Sequence, residues 1–392
     1  MASHCLKKIT HTLEKLIEIK MNKIKLANQI KHWAKEIGFA EIGITDPDLS
    51  PYQKHFKSWL AHGYQAEMNF MNRHQEKRIN PQELMNQTKS IICVAVNHEI
   101  CNTLSPCGAK LSSRGLTAGS SKKRPNNPDL AIKLQDDNNL KEIASSYVTK
   151  CDYHKVMHKK LHQLADKINS VVENFRYRAF CDSAPVLEKA LAEKAGLGWI
   201  GKYTCLLTKK HGSQIFLGEL FTNLELPFDK PCNNHCNTCS KCIDACPTKA
   251  LKAPHTLDAK LCIAYLTIEH QGSIPVELRK LIGQRIAGCD ECQLSCPWNK
   301  NIRQIPKNYA QTLIKLFNWT EKEFLTNTQN TTIIRIGYKR WLRNLAIALG
   351  NSPYDPAIIA VLKNRLNYPS AMVQEHVQWA IKQQNLLINS VT

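Results

Sequence analysis

The chain has 392 residues, 43% of them hydrophobic and 22% charged, a globular composition with length for two or three domains. Its formal net charge of +20 is spread along the whole chain, a field that suits a polyanion such as nucleic acid or an acidic membrane surface and equally serves plain solubility. No apolar run reaches the ~18 residues of a membrane-spanning helix, and sixteen cysteines without an export signal point to a reducing cytoplasm rather than to a secreted disulfide scaffold.

Residues 1–24 form an N-terminal extension that reads as a Lys-rich helix, with Met21 as an alternative start. KLANQIKHWAKEIGFAEIGIT then carries apolar positions at helical spacing, a Gly break and a β-like run from Ala40 to Ile44. SIICVAVNH, Ser90 to His98, is an apolar β-branched run suited to a buried strand. Residues 101–142 are rich in Ser, Asn, Gly, Pro and Lys and read as a flexible surface insertion. Amphipathic helix follows through DYHKVMHKKLHQLADKI, and then a strand at RYRAF. In CDSAPVLEKALAEKAGLGWIG, Asp182 and Ser183 are N-cap candidates, Pro185 suits a first helical turn and Gly196 a helix stop. TCLLT and SQIFLGELFT read as strands paired with each other. From about residue 310 the chain is helical through RWLRNLAIALGN, PAIIAVLKNRL and AMVQEHVQWAIKQQ, short paired helices that resemble HEAT-type repeats, with Trp341 and Trp379 packing between them.

Half of the cysteines lie between Cys236 and Cys296. Cys236, Cys239, Cys242 and Cys246, followed by Pro247, spell C-x2-C-x2-C-x3-C-P. Three cysteines on such a tight loop wrap one cubane, and the fourth points at the other cluster of a two-cluster ferredoxin. The second half is degenerate: Cys262 stands alone, and Cys289, Cys292 and Cys296 end at Pro297. Pseudo-twofold exchange predicts that Cys236, Cys239, Cys242 and Cys296 hold one [4Fe–4S] cluster, and that Cys246, Cys262, Cys289 and Cys292 hold the other. Eight cysteines would also serve two zinc ions, but the spacing and the two C-P terminations argue for iron–sulfur. Cys232 is off pattern and reads as a bystander, and the remaining cysteines read as small core or loop residues. Two clusters make an electron wire, and a wire needs a terminus.

DSAPVLEKALAEKAGLGWIGKYTCLL with LGEL after it, GYQAEM-x2-M-x-R at 63–73, DYHKV, CIAYLTIEH, GCDECQLSCPWN and RWLRNLAIALGN occur in order. Together they resemble the epoxyqueuosine reductase family from about residue 25 to the C-terminus, interrupted by residues 101–142. The resemblance implies an oxidoreductase that reduces epoxyqueuosine to queuosine at the wobble position of tRNA anticodons, the last step of queuosine biosynthesis. It implies two [4Fe–4S] clusters and cobalamin as cofactors, an external low-potential electron donor, and a cytoplasmic monomer that binds tRNA bearing epoxyqueuosine and no membrane.

The implied architecture is an α/β (α+β) corrinoid-binding domain over residues 25–225, a ferredoxin-like two-cluster module over 226–305 and a HEAT-like helical tail over 306–392. By resemblance Asp182 is the acid that protonates the departing epoxide oxygen. An ordinary carboxyl pKa of about 3.9 is too low for that task, so an apolar surrounding that raises it is expected. Arg73 pairs with a corrin group or forms a surface ion pair, and Ser145, Lys202, Thr204 and Ser213 lie in segments expected to line the corrinoid. Tyr153 and His154 touch substrate or hold a loop. Arg335, Lys339, Arg340 and Arg343 offer cations for tRNA phosphate, or a solvated helix face. Lys150, Cys151 and Tyr203 depart from the family's usual residues, which puts local corrin or substrate contacts in question. A ferredoxin-like electron carrier would not need the GWIGK and DSAPV segments. A non-catalytic RNA-binding protein would show no redox turnover, and a corrinoid reductase of small molecules would ignore tRNA.

Overall fold

A computed structural model describes residues 2–98, 144–145, 152–300 and 309–388, with side chains from residue 20 onward. The whole of the 101–142 insertion, Lys150 and Cys151 therefore lie outside the described residues. The first domain is built on a four-stranded antiparallel sheet of order β1-β2-β6-β3, from β1 (Glu41–Thr45), β2 (Ser90–Asn97), β6 (Ile215–Thr222) and β3 (Tyr177–Phe180). Alternation along β2 and β6 feeds two cores. Ile92, Val94, Val96, Phe216 and Leu220 pack under the helices Ala2–Ile37 and Tyr153–Asn169, while Ile91, Cys93, Ala95, Ile215 and Phe221 pack against the short helix Glu188–Lys194. A sheet covered on both faces needs near-continuous apolar strands, which is why SIICVAV lacks polar alternation. The helix end is pressed so close to β1 that a Cβ on Gly43 would lie 1.9 Å from the Ala195 carbonyl oxygen.

Three expectations need correction. The Lys-rich N-terminal segment is continuous with the helix that follows, one element Ala2–Ile37. TCLLT and SQIFLGELFT do not pair as neighbouring strands: β5 (Leu206–Leu207) pairs with β4 (Trp199–Ile200), whereas β6 sits between β2 and β3. The hydrophobic length of β6 is satisfied in the centre of the large sheet, and the bridge of Thr208 with Gly212 only closes the turn between the two segments. Asp182 and Ser183 do not cap a helix, because the helix starts at Glu188 after Leu187, and Asp182 lies in the left-handed region at φ 54°. Gly196 does terminate that helix, at φ 77°.

The cysteine window folds as short pieces: helix Lys241–Asp244, the β7 (Leu251–Ala253) and β8 (Thr256–Leu257) hairpin, and helices Ile263–Ile268, Val276–Ile282 and Glu291–Leu294. The tail is helical, through Ala310–Asn318, Glu321–Asn327, Tyr338–Gly350, Pro356–Lys363 and Ala371–Ile388. Trp341 is fully buried against Trp319 and Phe324, and Trp379 lies against Gly350. Among the described residues no helix is long and apolar enough to cross a membrane.

Arg343, expected as a phosphate contact, is fully buried. Its guanidinium donates to the Leu266, His270 and Gly272 carbonyls. Neighbouring Asn344 donates to the Thr267 and Ile286 carbonyls, so this helix grips the backbone between Cys262 and Cys289. Arg340 is half-buried, and its fork donates to the Ile268, Glu269 and Arg335 carbonyls. Both side chains are structural clamps, leaving Arg335 and Lys339 as the exposed members of the expected set. Arg343→Met leaves three carbonyls without their donor and is expected to cost about 3 kcal/mol or more. The loss is read from the chemical unfolding midpoint of the cluster-loaded protein, where Lys339→Ala should stay within about 0.5 kcal/mol of wild type.

Candidate active site

Strand β3 ends at Phe180, and the chain turns sharply through Asp182 before the helix Glu188–Lys194. The turn is held by the Asp182 amide, which donates to Glu188 Oε1. The helix Tyr153–Asn169 starts beside it, capped by the Asp152 carboxylate on the His154 amide. Asp182 Oδ2 accepts from Tyr153 Oη at 3.1 Å and from His154 Nε2 at 3.0 Å. Asp152 Oδ1 lies 2.8 Å from His154 Nδ1. Each imidazole nitrogen thus faces a carboxylate, and only an imidazolium donates from both.

The electrostatics follow from that contact. The hydrogen bonds from Asp182 and Asp152 hold the His154 pKa above its usual value against burial. The same hydrogen bond from His154 holds Asp182 below the usual carboxylate range, outweighing burial, with Tyr153 and the Arg335 guanidinium at 3.9 Å adding to it. The expected raised Asp182 is therefore corrected: the proton rests on His154, because a cationic partner 3.0 Å away outweighs the apolar surroundings. Tyr153 is pushed up, first by burial and then by the Asp182 charge, and its ring stacks on Phe216 at 3.8 Å.

Asp182 opens into a cavity of about 1220 Å³, larger than the roughly 300–1,000 Å³ of ordinary small-molecule sites. Its walls carry Tyr52, Phe56, Trp59, Phe70 and Met71 on one side, and Ile268, Glu269, Thr332 and Arg335 on another. The side chain of Asp182 is 46% exposed because it faces this space. Aromatic walls with a few convergent polar groups suit a large flat cofactor together with a nucleoside.

The cysteines gather next to the β4–β5 hairpin. Cys236, Cys242, Cys246, Cys292 and Cys296 pack with Trp199, Tyr203 and Leu207, while Cys262 and Cys289 lie in the adjoining core beneath the tail. Cys296 feels the charges of Cys236 and Cys239, and Cys242 those of Cys296 and Cys236. Cys262 feels Cys246, and Cys292 feels Cys289 and Cys262. Cys205 also bears on Cys262 and, ahead of Cys289 and Cys262, on Cys292, so the thiols form one connected group. Burial is the first cause that pushes the Cys242, Cys262, Cys289, Cys292 and Cys296 thiols up, Cys289 to about 12. Among the described residues no three His, Cys, Asp or Glu side chains converge as they would around one metal ion. Cys232 donates to the Gly196 carbonyl at 2.9 Å. Cys205, expected to be an ordinary small residue, joins the same packing group as the cluster cysteines.

The expected corrinoid contacts divide. Arg73, Thr204 and Asp182 line the cavity. Lys202 instead donates to the Asn237 and Cys239 carbonyls at 2.6 and 2.9 Å. Ser213 donates to Gln293 Oε1 at 2.7 Å, and Ser145 donates to Asp290. These three side chains brace the cysteine loops. Tyr203 is buried and accepts from Asn299 Nδ2 at 3.2 Å. Residue-by-residue reading missed Asp152, Glu188, Glu219 and Arg78. The one available signal was Glu219, an acid inside the otherwise apolar strand IFLGELFT.

Comparison with known proteins agrees with this arrangement. Residues 235–299 match the 4Fe-4S double cluster binding domain, and residues 78–183 match the family described as Epoxyqueuosine reductase QueG, DUF1730. The chain is 43% identical over 367 residues to an epoxyqueuosine reductase of Pseudomonas aeruginosa, a match covering 91% of this chain and 94% of the relative. A solved epoxyqueuosine reductase from Bacillus subtilis, with its catalytic aspartate loop swung out of the active site, is similar at a TM-score of 0.72 and 26% identity, over 92% of this chain and 90% of that one. An epoxyqueuosine reductase solved with an epoxyqueuosine-modified tRNA-Tyr stem loop is similar at a TM-score of 0.69 and 25% identity, over 92% and 99% of the two chains. With that identity sustained along nearly its whole length, the chain belongs to the epoxyqueuosine reductase family.

Proposed function

We propose that this protein removes the epoxide oxygen of epoxyqueuosine at the tRNA wobble position, giving queuosine, with two [4Fe–4S] clusters and cobalamin. The carrying observation is the His154–Asp182 pair, a proton held between charged partners at the wall of the large cavity, in a chain of this family. Cys236, Cys239, Cys242 and Cys296 hold one cluster, and Cys246, Cys262, Cys289 and Cys292 the other. Residues 25–225 form the catalytic domain, 226–305 the cluster module, and 306–392 a HEAT-like tail. The enzyme acts as a cytoplasmic monomer supplied by an external low-potential donor.

Arg73, Thr204 and Asp182 line the cavity wall and would contact the corrinoid there. Cobalamin, when bound, supplies a strongly nucleophilic cobalt to open the epoxide. The chain's own contribution is the proton. His154 Nε2 holds it against Asp182 Oδ2, Asp152 keeps the imidazole oriented through Nδ1, and Tyr153 Oη fixes the same carboxylate oxygen. As negative charge develops on the departing oxygen, Asp182 passes on the proton that it draws from His154. The aromatic walls exclude water from the reacting carbons. Arg335, 3.9 Å from Asp182, and exposed Lys339 meet the phosphates of the anticodon stem–loop.

Anaerobically reconstituted protein given cobalamin, a low-potential reductant and epoxyqueuosine-bearing tRNA should yield nucleosides lighter by one oxygen in mass spectrometry, and should yield none when cobalamin is omitted. Replacing Arg335 or Lys339 by Ala should lower the slope of log affinity against log salt by about one per lost phosphate contact; an unchanged slope removes that residue from the interface. For the proton site the signs are opposite. His154, held up, keeps its charge below the ordinary imidazole value and loses the pairing as pH rises through the raised one. Asp182, held down, loses it as pH falls through its depressed value. Asp182→Asn should therefore move the His154 imidazole titration, followed by NMR, toward its ordinary range and cut turnover by about 10²–10⁴.

A further inference from the structure

Reductive removal of an epoxide oxygen breaks two C–O bonds, forms one C=C bond and releases water. It consumes two electrons, delivered by the reductant through the clusters, and two protons, both of which end on the oxygen. The His154–Asp182 pair holds one. A second acid is needed in the same cavity, and two carboxyl groups occupy the right place.

Alternation along β6 puts Glu219 on the face of Ile215, Leu217 and Phe221, opposite Cys93 of β2 and Phe180 of β3. Glu219 is fully buried, no protein N–H or O–H donor among the described residues reaches either of its carboxyl oxygens, and its polar neighbour is the Glu188 carboxyl. Glu188 opens the helix packed on that face, lines the cavity, and accepts the Asp182 amide through Oε1. It thus stands between the sealed carboxyl and the substrate space. Of the nearby cations, Lys194 pairs with Asp46 and Lys189 donates to the Thr204 carbonyl, while buried Arg78 bears on Glu188 and Asp182 through its charge without a salt bridge to either glutamate. Among the described residues neither glutamate forms a salt bridge, and a pair of unneutralised carboxylates cannot both stay ionised in so dry a setting.

We propose that Glu188 and Glu219 share a proton and supply the second equivalent of the reaction, Glu188 donating it to the substrate oxygen and Glu219 acting as its buried reservoir. This rests on the deoxygenation reading above. The groups facing the pair all bear on its charge: Asp182 and Cys181 on the turn after β3, Cys93 on β2, and Lys189, Lys194 and Arg78 around the helix. Burial first, then the Asp182 charge, raises Glu188 to about 7, partly opposed by its hydrogen bond to the Asp182 amide and by Lys189. Burial and the Glu188 and Asp182 charges push Glu219 well above the usual carboxylate range.

The test combines infrared spectroscopy with single-turnover rates across pH on cluster- and cobalamin-loaded enzyme, with iron content and thermal stability as folding controls. A protonated-carboxyl C=O band should persist at neutral pH in wild type and disappear in Glu219→Gln. The wild-type rate should fall as pH rises above about 7, and Glu219→Gln should shift that fall to lower pH. Glu188→Gln, which keeps the acceptor for the Asp182 amide, should slow turnover by about 10²-fold or more, and Glu188→Asp should recover part of it. Turnover in Glu188→Gln with the wild-type rate and profile, or no protonated carboxyl in wild type, overturns the inference alone. No deoxygenation by loaded wild type at any pH overturns the underlying reaction and the inference with it.

Discussion

Burial of one antiparallel sheet on both faces constrains everything that follows. Once β2 and β6 are covered by the helices Ala2–Ile37 and Tyr153–Asn169 on one side and by the helix Glu188–Lys194 on the other, polar chemistry has little room inside the layers. It is driven to the sheet's end, where β3 gives way to the Asp182 turn and the Tyr153–Asn169 helix begins. Met157 packs against Gly218, where any Cβ would sit 2.8 Å from its side chain. That close approach holds the start of the helix over the sheet and carries Tyr153 and His154 to Asp182. Glu219 is a charge-bearing exception to the rule of apolar layers, and a carboxyl kept in a sealed core without a cation bonded to it marks a departure from the interests of stability.

The strong positive charge of the chain is spent in several ways that composition does not separate. Arg343 and Arg340 close backbone carbonyls between the tail and the cysteine window. Lys202 holds the loop that carries Cys239. Arg279 is buried against Glu375. Such cations hold the architecture together and are unavailable to phosphate. Arg335 differs because it is exposed, lies at the cavity wall and stands near Asp182. A basic isoelectric point is therefore a weak footprint for nucleic acid in this fold, and the position of exposed Arg335 at the cavity wall carries the argument.

What was legible in the chain tracks how local the determinant is. The cysteine loop could be read because C-x2-C-x2-C-x3-C-P specifies a tight wrap within a dozen residues, and the double-cluster domain matches over residues 235–299. β1 and β2 could be read because apolar β-branched runs have few alternatives, and β3 from the aromatic residues of its short run YRAF. Pairing could not: TCLLT precedes SQIFLGELFT directly, yet β6 takes its partners from segments far away in sequence. The Asp182 turn mimics an N-cap in composition, but its left-handed backbone and its bond to His154 are tertiary facts. Arg343 looked solvated because charge on a helix usually is, and only the carbonyls of another segment, some seventy residues earlier, account for its burial.

The three parts of the chain also share a single surface. Tyr52, Trp59 and Asp182 reach the cavity from the sheet domain, Ile268 and Glu269 from the segment after Cys262, and Thr332 and Arg335 from the tail. The segment after Cys262 is the one whose carbonyls Arg343 and Asn344 clamp. A displacement of the tail would therefore reach the cavity wall and the Cys262 backbone together, because one set of hydrogen bonds anchors both. An enzyme that must bring electrons, a proton and a bulky polyanion to one oxygen atom gains from that arrangement: the clamp that orders the metal-binding segment also fixes the edge against which the substrate is held.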